Sequence, residues 1–278
     1  MHKSRIKKSV PFIALSAILA SAALAYFSYE NNRLTVSDYT FESDKVTGKF
    51  DGFRIVHISD LHNKSFGKNN KKLLQLIEAQ KPDIIVISGD LVDSRHTDKE
   101  VALDFLRNVS EIAPTFYTPG NHEGRFPEDE MDEFLKDAEK AGAVVLTQDM
   151  VTLSLGDEKI YLCGLSDDLL SEGNLSRLME NTGDAMTILI SHRPQYGEIY
   201  AESGADLTFS GHAHGGQTRF GKLGSLISPD QGLFPKYTEG IHYFGDSATV
   251  ISRGLGNSLI PVRINNPPEL VVCTLKSK

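Results

Sequence analysis

The chain has 278 residues, of which 40% are hydrophobic and 24% charged, and its formal net charge is −8. These proportions are typical of globular proteins and exclude the collagen-like, disordered and disulfide-scaffold classes. Residues 1–29 hold four bases and no acid, so the remaining chain carries 25 bases against 37 acids. Nucleic-acid binders rely on Lys and Arg contacts to phosphates, so a body this acidic is not expected to bind nucleic acid.

The N-terminal segment predicts a membrane anchor. Four positive residues precede a stretch from Val10 to Tyr29 that has 20 residues and no charge, the length an α-helix needs to cross a bilayer. Because Lys and Arg favour the cytoplasmic side, the pattern predicts a cytoplasmic N-terminus and an extracytoplasmic body. A cleaved signal peptide is the alternative, since Ala20-Ser21-Ala22 and Ala23-Leu24-Ala25 resemble cleavage sites. We therefore divide the chain into an anchor or signal at 1–30 and a single folded domain at 31–278.

The body alternates predicted strands and helices for most of its length and ends in strands. Apolar runs of four or five residues predict strands that are buried on both faces. The predicted strands are Phe53–Ser59, Ile84–Ile87, Pro114–Thr118, a hairpin of Val151–Leu155 with Lys159–Leu165, Met186–Ile190, Leu207–Phe209, Ile241–Phe244, Thr249–Ser252 and Leu270–Leu275. The predicted helices are Asn70–Gln80, Ala102–Val109, Glu128–Ala141 and one near Gln195–Glu202. Cys163 and Cys273 lie in two of these strands and are expected to be core side chains rather than part of a disulfide framework. The pattern indicates an α/β fold with helices packed on mixed sheets.

Five predicted strands are each followed by side chains that commonly bind metals. In chain order these are Asp60 and His62, Asp90 and Asp93, Asn121 and His122, His192, and His212 and His214. In α/β folds, ligands bind at the carboxyl ends of the strands, so these side chains are expected to meet. Carboxylates and imidazoles without thiolates suit Mn²⁺, Fe or Zn²⁺. A carboxylate shared by two ions about 3.5–4 Å apart is typical of centres that hydrolyse phosphoesters by in-line displacement.

The chain resembles the calcineurin-like metallophosphoesterase superfamily, through the motifs D-x-H, G-D-x-x-D, G-N-H-[DE], H and G-H-x-H. More narrowly it is similar to bacterial membrane-associated phosphodiesterases of that superfamily, through the stretches Ile58-Ser-Asp-Leu-His62, Ser191-His-Arg-Pro194 and Gly211-His-Ala-His-Gly-Gly-Gln217. The resemblance implies a four-layer αββα sandwich of two mixed sheets with outer helices. It also implies hydrolysis of a phosphoester, with a phosphodiester preferred over a monoester.

The resemblance further implies a role for each motif residue. Asp60, His62 and His214 would bind one divalent ion, Asn121, His192 and His212 a second, and Asp90 would bridge them. The nucleophile would be a hydroxide between the two ions, for which Mn²⁺ is the preferred metal and Fe or Zn²⁺ the alternatives. His122 would act as an acid or contact the phosphate, with Asp93 holding its imidazole.

The identity of the substrate is left open by the sequence. Arg193 and Arg219 adjoin the ligand motifs and are candidates for binding substrate phosphate. An anchored, exported enzyme would meet lipid-linked phosphodiesters, envelope polymers or nucleotides. The apolar loop that ends at Phe234 is expected to cover a sheet edge, with contact to an acyl chain or bilayer as the alternative. The alternative functions are a phosphomonoesterase with the same centre and a scaffold that keeps the fold without activity.

Overall fold

The computed structural model describes residues 6–221, 224–257 and 262–278, and only the backbone of residues 6–13. Lys3 and Arg5, which contribute to the predicted orientation of the anchor, lie outside the described residues. The described helices are α1 (Ile6–Asn32), α2 (Lys71–Ala79), α3 (Lys99–Ser110), α4 (Glu128–Lys140), α5 (Glu172–Met179) and α6 (Gly197–Glu202). The described strands are β1 (Thr35–Ser43), β2 (Arg54–Ile58), β3 (Ile84–Ile87), β4 (Thr115–Tyr117), β5 (Ala143–Val145), β6 (Gln148–Leu155), β7 (Glu158–Leu165), β8 (Thr187–Ser191), β9 (Leu207–Ser210), β10 (Ile227–Ser228), β11 (Gly232–Leu233), β12 (Gly240–Phe244), β13 (Ser247–Ile251) and β14 (Glu269–Ser277).

The strands form two mixed six-stranded sheets and one small hairpin. The first sheet has the order β1-β14-β2-β3-β4-β5 and is parallel except where β14 pairs with β2. The second has the order β12-β13-β9-β8-β7-β6, and its two outermost pairs are antiparallel. Strands β10 and β11 pair only with each other. The parallel strands at the centre of each sheet place their carboxyl ends along one edge.

Alternation of side chains along the strands produces the layers. In β2, Ile55 faces the other sheet, whereas Val56 and Ile58 face the helices. In β8, Ile190 likewise belongs to the cluster between the sheets and Leu189 to the cluster beneath α5 and α6. Helices α2, α3 and α4 cover the outer face of the first sheet. Since each fully buried Ile or Leu contributes about 1.5–3 kcal/mol, these apolar strands determine the sandwich. The four-layer arrangement predicted from the sequence is confirmed.

Five described elements of the body are absent from the sequence prediction: β1, β5, α5 and the two-residue strands β10 and β11. Strand β1 pairs with β14, more than 200 residues away, and most of its side chains are at least partly exposed. Because β1 is partly exposed, polar side chains interrupt its sequence, and it lacks the continuous apolar run by which the central strands are predicted. Strand β5 has only three residues, and α5 only eight. The side chain of Ser171 caps α5 by accepting the backbone N–H of Asn174, a stabilisation worth about 1 kcal/mol.

The predicted anchor, Val10 to Tyr29, lies within α1. The side chains of Leu15, Ile18, Leu19 and Leu24 are more than half exposed. In the part of the chain that the structure describes, no helix combines the length and the hydropathy that crossing a membrane requires.

Candidate metal centre

The metal-binding side chains meet where the carboxyl ends of the two sheets face each other. Strands β2, β3 and β4 of the first sheet and β8 and β9 of the second are followed by these residues, almost all of which are buried. Five of them have a positive φ, which L-residues seldom adopt. They are Asp60 (52°), His62 (47°), Asp90 (55°), His212 (64°) and His214 (49°). Such backbone strain is typical of functional sites, because the surrounding structure must maintain it.

Glycines in the motifs allow the loops to approach one another. A Cβ on Gly89 would lie 2.5 Å from the backbone of Gly120, and a Cβ on Gly120 would lie 2.4 Å from Asp90 Oδ1. A Cβ on Gly211 would lie 1.7 Å from Ser59 Oγ. These distances are far below van der Waals contact. The glycines that begin G-D, G-N-H and G-H are therefore required because no side chain would fit where these loops approach one another, and not only because they form turns.

One group of potential ligands consists of Asp60, His62, Asp90 and His214, whose ligand atoms all lie within 4.8 Å of one another. The Nε2 atoms of His62 and His214 are 3.3 Å apart, and His214 Nε2 is 3.4 Å from Asp60 Oδ1. Burial lowers the pKa of His62 to about 4 and that of His214 well below its ordinary value. Both imidazoles are therefore neutral at pH 7, the form in which histidine binds a metal.

A second group, Asp90, His192 and His212, shares Asp90 with the first. His192 Nδ1 lies 2.6 Å from the carbonyl oxygen of Ser88, so this nitrogen donates and Nε2 is directed into the site. Nε2 is 3.2 Å from Asp90 Oδ2. Burial lowers the pKa of His192, but the charge and hydrogen bond of Asp90, together with the charges of Asp60 and Asp167, outweigh burial and raise that pKa to about 10. The space between His192 Nε2 and Asp90 Oδ2 therefore attracts positive charge.

Unpaired polar atoms test whether two cations fit this arrangement. Asn121 Oδ1 is buried and has no hydrogen-bond partner among the described residues, and the buried His192 Nε2 faces the carboxylate of Asp90. Leaving a buried polar group unpaired costs about 1–3 kcal/mol, which a bound cation would offset. The donor set of carboxylate, imidazole and amide suits Mn²⁺, Fe or Zn²⁺. All seven predicted ligands therefore fit a dinuclear centre in which Asp90 is shared.

Glu123 holds the loop that carries Asp90, a role that the sequence did not reveal. Its carboxylate is fully buried and accepts three backbone N–H groups, with Oε2 bonded to Asp90 and Gly120 (2.9 Å each) and Oε1 bonded to Val92 (3.2 Å). Burial and the nearby Asp90 raise the pKa of Glu123 to about 7, while the three donors favour its charged form. The last residue of G-N-H-E is thus a positioning residue, which only its contacts disclose.

Asp60 is oriented in a similar way by neighbours on both sheets. The Ser59 hydroxyl donates to Asp60 Oδ2, and the backbone N–H of His212 lies 3.1 Å from both carboxylate oxygens. Burial raises the pKa of Asp60 to about 6, and His192 and these donors oppose the rise. The contact from His212 ties the first sheet to the second at the centre itself.

The structure brings His122 into the site but gives it a different partner from the predicted one. His122 Nδ1 accepts the backbone N–H of Ser94 at 3.0 Å, so the proton of the neutral ring lies on Nε2. Asp93 Oδ1 is 3.5 Å from the same nitrogen, but both Asp93 oxygens accept hydrogen bonds from Arg95. Burial lowers the pKa of His122, although Asp90 opposes this effect. The imidazole is therefore held by the backbone of Ser94, and although the nearby Asp93 raises the pKa of His122, burial outweighs it.

The two arginines predicted to bind substrate are paired with carboxylates. Arg193 forms a bidentate pair with Asp167 (Nη2 to Oδ2 2.8 Å) and also contacts Asp230, whose Oδ2 is 2.8 Å from His212 Nε2. Arg219 pairs with Glu239. Arg193 is therefore linked to the centre through Asp230 and His212, rather than free to bind substrate directly.

Two other arginines line the opening of the centre. A cavity of about 130 Å³ is bounded by Asp90, Asn121, His122, His212, His214, Pro229 and the arginines Arg95 and Arg125. Arg95 is neutralised by Asp93, whereas Arg125 is exposed and contacts the Ser94 hydroxyl at 3.3 Å. Arg125 has no carboxylate partner in the described part of the chain. It follows G-N-H-E by two positions, but an exposed Arg after a turn has no distinctive sequence signal.

Comparisons with known proteins agree with this geometry. The family model for calcineurin-like phosphoesterases matches residues 53–216. The chain is 32% identical to an uncharacterized metallophosphoesterase of Bacillus subtilis, YkuE, over 95% of this chain and 94% of that one. It is 27% identical to the phosphodiesterase YaeI of Escherichia coli, over 80% and 82% of the two chains. A solved structure, TT1561 of Thermus thermophilus, overlaps 73% of this chain and 90% of its own with a TM-score of 0.49 and 14% identity.

Proposed function

Because the chain belongs to the calcineurin-like phosphoesterase family and has the site of a metal-dependent phosphoester hydrolase, we propose that the bond it cleaves is that of a phosphodiester. A phosphodiester carries one negative charge on the phosphate, whereas a monoester carries up to two. The preference therefore depends on how much positive charge the protein offers around the phosphate in addition to the ions.

The observation that supports a diester is the neutralisation of the nearby cations. Arg193, Arg219 and Arg95 are each paired with carboxylates. Among the described residues at the opening, this leaves Arg125 as the cation available to a substrate oxygen. One such cation suits a monoanionic phosphate. The name of the relative YaeI is consistent with this proposal.

The residues of the chain divide the work of hydrolysis. When bound, a pair of divalent ions activates water and neutralises charge that develops on the phosphate. Asp90 and its partners hold the two sites together, and Glu123 holds Asp90. His122 lines the cavity, and because Ser94 occupies its Nδ1, its Nε2 proton is the one available to a phosphate or leaving-group oxygen. We expect Mn²⁺ to be the preferred metal, since the donors combine carboxylates with imidazoles.

We also propose that the enzyme acts at a membrane, with its catalytic domain outside the cytoplasm. The support is the uncharged segment from Val10 to Tyr29 with positive residues before it, together with the exposed leucines of α1. In that location the substrates would be phosphodiesters of envelope lipids, polymers or nucleotides. Cleavage after the signal and release of the domain is the alternative.

The diester proposal is tested by comparing bis-p-nitrophenyl phosphate with p-nitrophenyl phosphate in the presence of Mn²⁺. The wild-type enzyme should have the higher kcat/KM for the diester. Arg125→Ala should lower kcat/KM for it by about tenfold, mainly through KM, since a charge-assisted contact is worth about 1.5–3 kcal/mol when fully formed. Arg177→Ala, an exposed arginine on α5, is the matched control and should have no effect.

Three outcomes would overturn the proposal. A higher kcat/KM for the monoester would identify a phosphomonoesterase with the same centre. An unchanged KM in Arg125→Ala would show that Arg125 does not bind the phosphate. Absence of turnover with Mn²⁺, Fe²⁺ and Zn²⁺ in a folded, metal-loaded protein would favour the non-catalytic scaffold.

A further inference from the structure

The hairpin of β10 and β11 exposes its apolar side chains. Around it, five large apolar residues are 36–72% exposed: Phe220, Leu226, Ile227, Leu233 and Phe234. We call this set the apolar rim. Elsewhere in the body, the exposed large apolar side chains of the described residues are scattered. Contiguous exposed apolar side chains in a soluble domain commonly mark an interaction site.

The polar side chains of the same segment point the other way, into the protein. The Ser225 and Ser228 hydroxyls are buried and bond to the backbone carbonyls of Gly216 and Ala213. Gln231 bonds to the backbone of Tyr237 through both its carbonyl and its amide group. A hairpin fixed by its polar residues and exposing its apolar ones reverses the usual arrangement of a surface loop. The apolar rim is thus built into a fixed hairpin rather than left over from a poorly packed one.

The hairpin is attached directly to the metal centre. Asp230, in its turn, contacts both His212 and Arg193, and the preceding Pro229 lines the cavity. Whatever the apolar rim contacts is therefore brought to the opening of the centre. The rim is also connected to α1, because the Tyr26 hydroxyl bonds to Asn265 Oδ1 and Asn265 Nδ2 bonds to the carbonyl of Arg219.

The charge of the segment differs from that of the rest of the chain. Between residues 219 and 236 there are three bases, Arg219, Lys222 and Lys236, and one acid, Asp230. The sequence of this segment therefore has two more bases than acids, in a protein whose net charge is −8. An exposed apolar edge in a segment whose sequence carries excess positive charge complements an anionic lipid surface, where each base contributes about 1 kcal/mol. A stable protein interface instead uses roughly 20–30 residues on each side, far more than the five of the rim.

We propose that the apolar rim inserts into the interface of an anionic lipid bilayer and thereby places the metal centre at the membrane surface. This contact would be additional to any anchor in α1. It concerns binding alone, so it does not depend on which phosphoester is cleaved.

A fluorescent reporter tests the proposal, because the chain contains no tryptophan. Phe234→Trp places the only indole in the rim of the full-length protein. Tyr243→Trp is the matched control: Tyr243 is 58% exposed but lies opposite Ala248, whose own partner Leu207 begins β9, at the end of the second sheet remote from the centre. Each variant is mixed with phosphatidylglycerol vesicles, with and without brominated acyl chains.

We expect the emission of Phe234→Trp to shift to the blue with vesicles and to be quenched by the brominated chains, more weakly in phosphatidylcholine, while the emission of Tyr243→Trp is unaffected. Solvent-like, unquenched emission from Phe234→Trp in a chain that sediments with the vesicles would overturn the proposal. Failure to sediment with the vesicles would do the same. A blue shift that needs no lipid and rises with protein concentration would identify a second copy as the partner, and would also overturn it.

An activity measurement separates this proposal from the proposed function. The double variant Leu233→Ser, Phe234→Ser should bind phosphatidylglycerol vesicles more weakly but hydrolyse soluble bis-p-nitrophenyl phosphate at the wild-type rate. If the wild-type protein proves inactive, the proposed function fails while the reporter still answers the binding question. Unchanged vesicle binding by the double variant would contradict a role for the rim.

Discussion

Polar side chains are usually exposed and apolar ones buried, but the metal centre and the apolar rim both depart from this distribution. The centre buries ionisable groups, with Asp60 and His192 fully inaccessible, whereas the rim exposes Leu233 and Phe234 by about 70%. Both arrangements cost free energy if nothing binds: the first through desolvation of charge and the second through hydration of apolar surface. In each region the cost points to a ligand that offsets it, a pair of cations in one and an apolar surface in the other.

The two regions differ in the contacts that hold them. Each carboxylate of the centre accepts hydrogen bonds from backbone on neighbouring loops, as Asp60 does from His212 and Asp90 from His122. The rim rests on a two-residue strand pair and a few side-chain bonds. Substitutions should therefore have large effects on function in the centre, and small effects on stability in the rim.

The largest effect is expected for Asp90→Asn. The variant keeps the shape of the shared ligand but removes its charge, so both ions should bind weakly and diester hydrolysis should fall to background. Titration with Mn²⁺ measures the first consequence and diester hydrolysis the second, while circular dichroism shows that the variant is folded. A folded variant with full activity would contradict the assignment of the whole centre.

A second substitution separates proton donation from metal binding. His122→Ala should leave both ions in place, because His122 is not among the seven ligands. General acid catalysis typically contributes about 10²–10⁴-fold, so hydrolysis of a diester with a poor leaving group, such as an alkyl ester, should fall by about that factor. Nitrophenyl esters need little protonation and should be affected much less. Equal losses on both substrates would exclude the acid role of His122.

Glu123→Gln tests the hydrogen bonds that position the centre. Glutamine has only one acceptor oxygen, so its NH₂ group would take the place of the other carboxylate oxygen. The NH₂ group would then face either the N–H of Val92 or the N–H groups of Asp90 and Gly120, and donor would meet donor. We expect metal affinity to fall by about 10–100-fold, as for other groups that orient metal ligands. Titration of Mn²⁺ into the apo-protein measures it. Glu111→Gln, at the exposed end of α3, is the control, and equal affinities in the two variants would contradict the role of Glu123.

The smallest effect is expected in the rim. Phe234→Ser should change the free energy of unfolding by less than about 0.5 kcal/mol, as is usual for surface sites. Phe209→Ala, in the fully buried cluster between the sheets, should cost about 3–5 kcal/mol. Urea denaturation compares them. A large loss in Phe234→Ser would show that the rim supports the fold rather than a partner.

The difference between the regions also explains what the sequence could predict. The metal-binding side chains follow apolar strands directly, and strand order in a parallel sheet brings such positions together, so their meeting at one edge could be predicted. The choice of seven ligands among them came from the family resemblance. The roles of Glu123 and Arg125 could not be predicted, because they depend on which backbone groups or cavity these residues face. The position of Arg193 next to a ligand motif predicts a contact with substrate, whereas its carboxylate partners, Asp167 and Asp230, are distant in the chain and could not be predicted.

Arg263 shows the same limit. It is fully buried, and its guanidinium bonds to the carbonyls of Arg253, Gly254, Gly256 and Asn266, in the segments beside Asp60. In sequence it is an ordinary Arg after a proline-containing stretch. An isolated charge in a loop normally indicates a solvated position, and only the fold shows that this one supports the centre.

The central claim is that Asp90 is shared by two bound ions, and the most direct measurement is anomalous diffraction from crystals soaked in Mn²⁺. We expect two Mn²⁺ peaks, both in contact with Asp90. The first should lie among Asp60, His62 and His214, and the second among Asn121, His192 and His212. A single peak, or two peaks of which only one contacts Asp90, would contradict the claim.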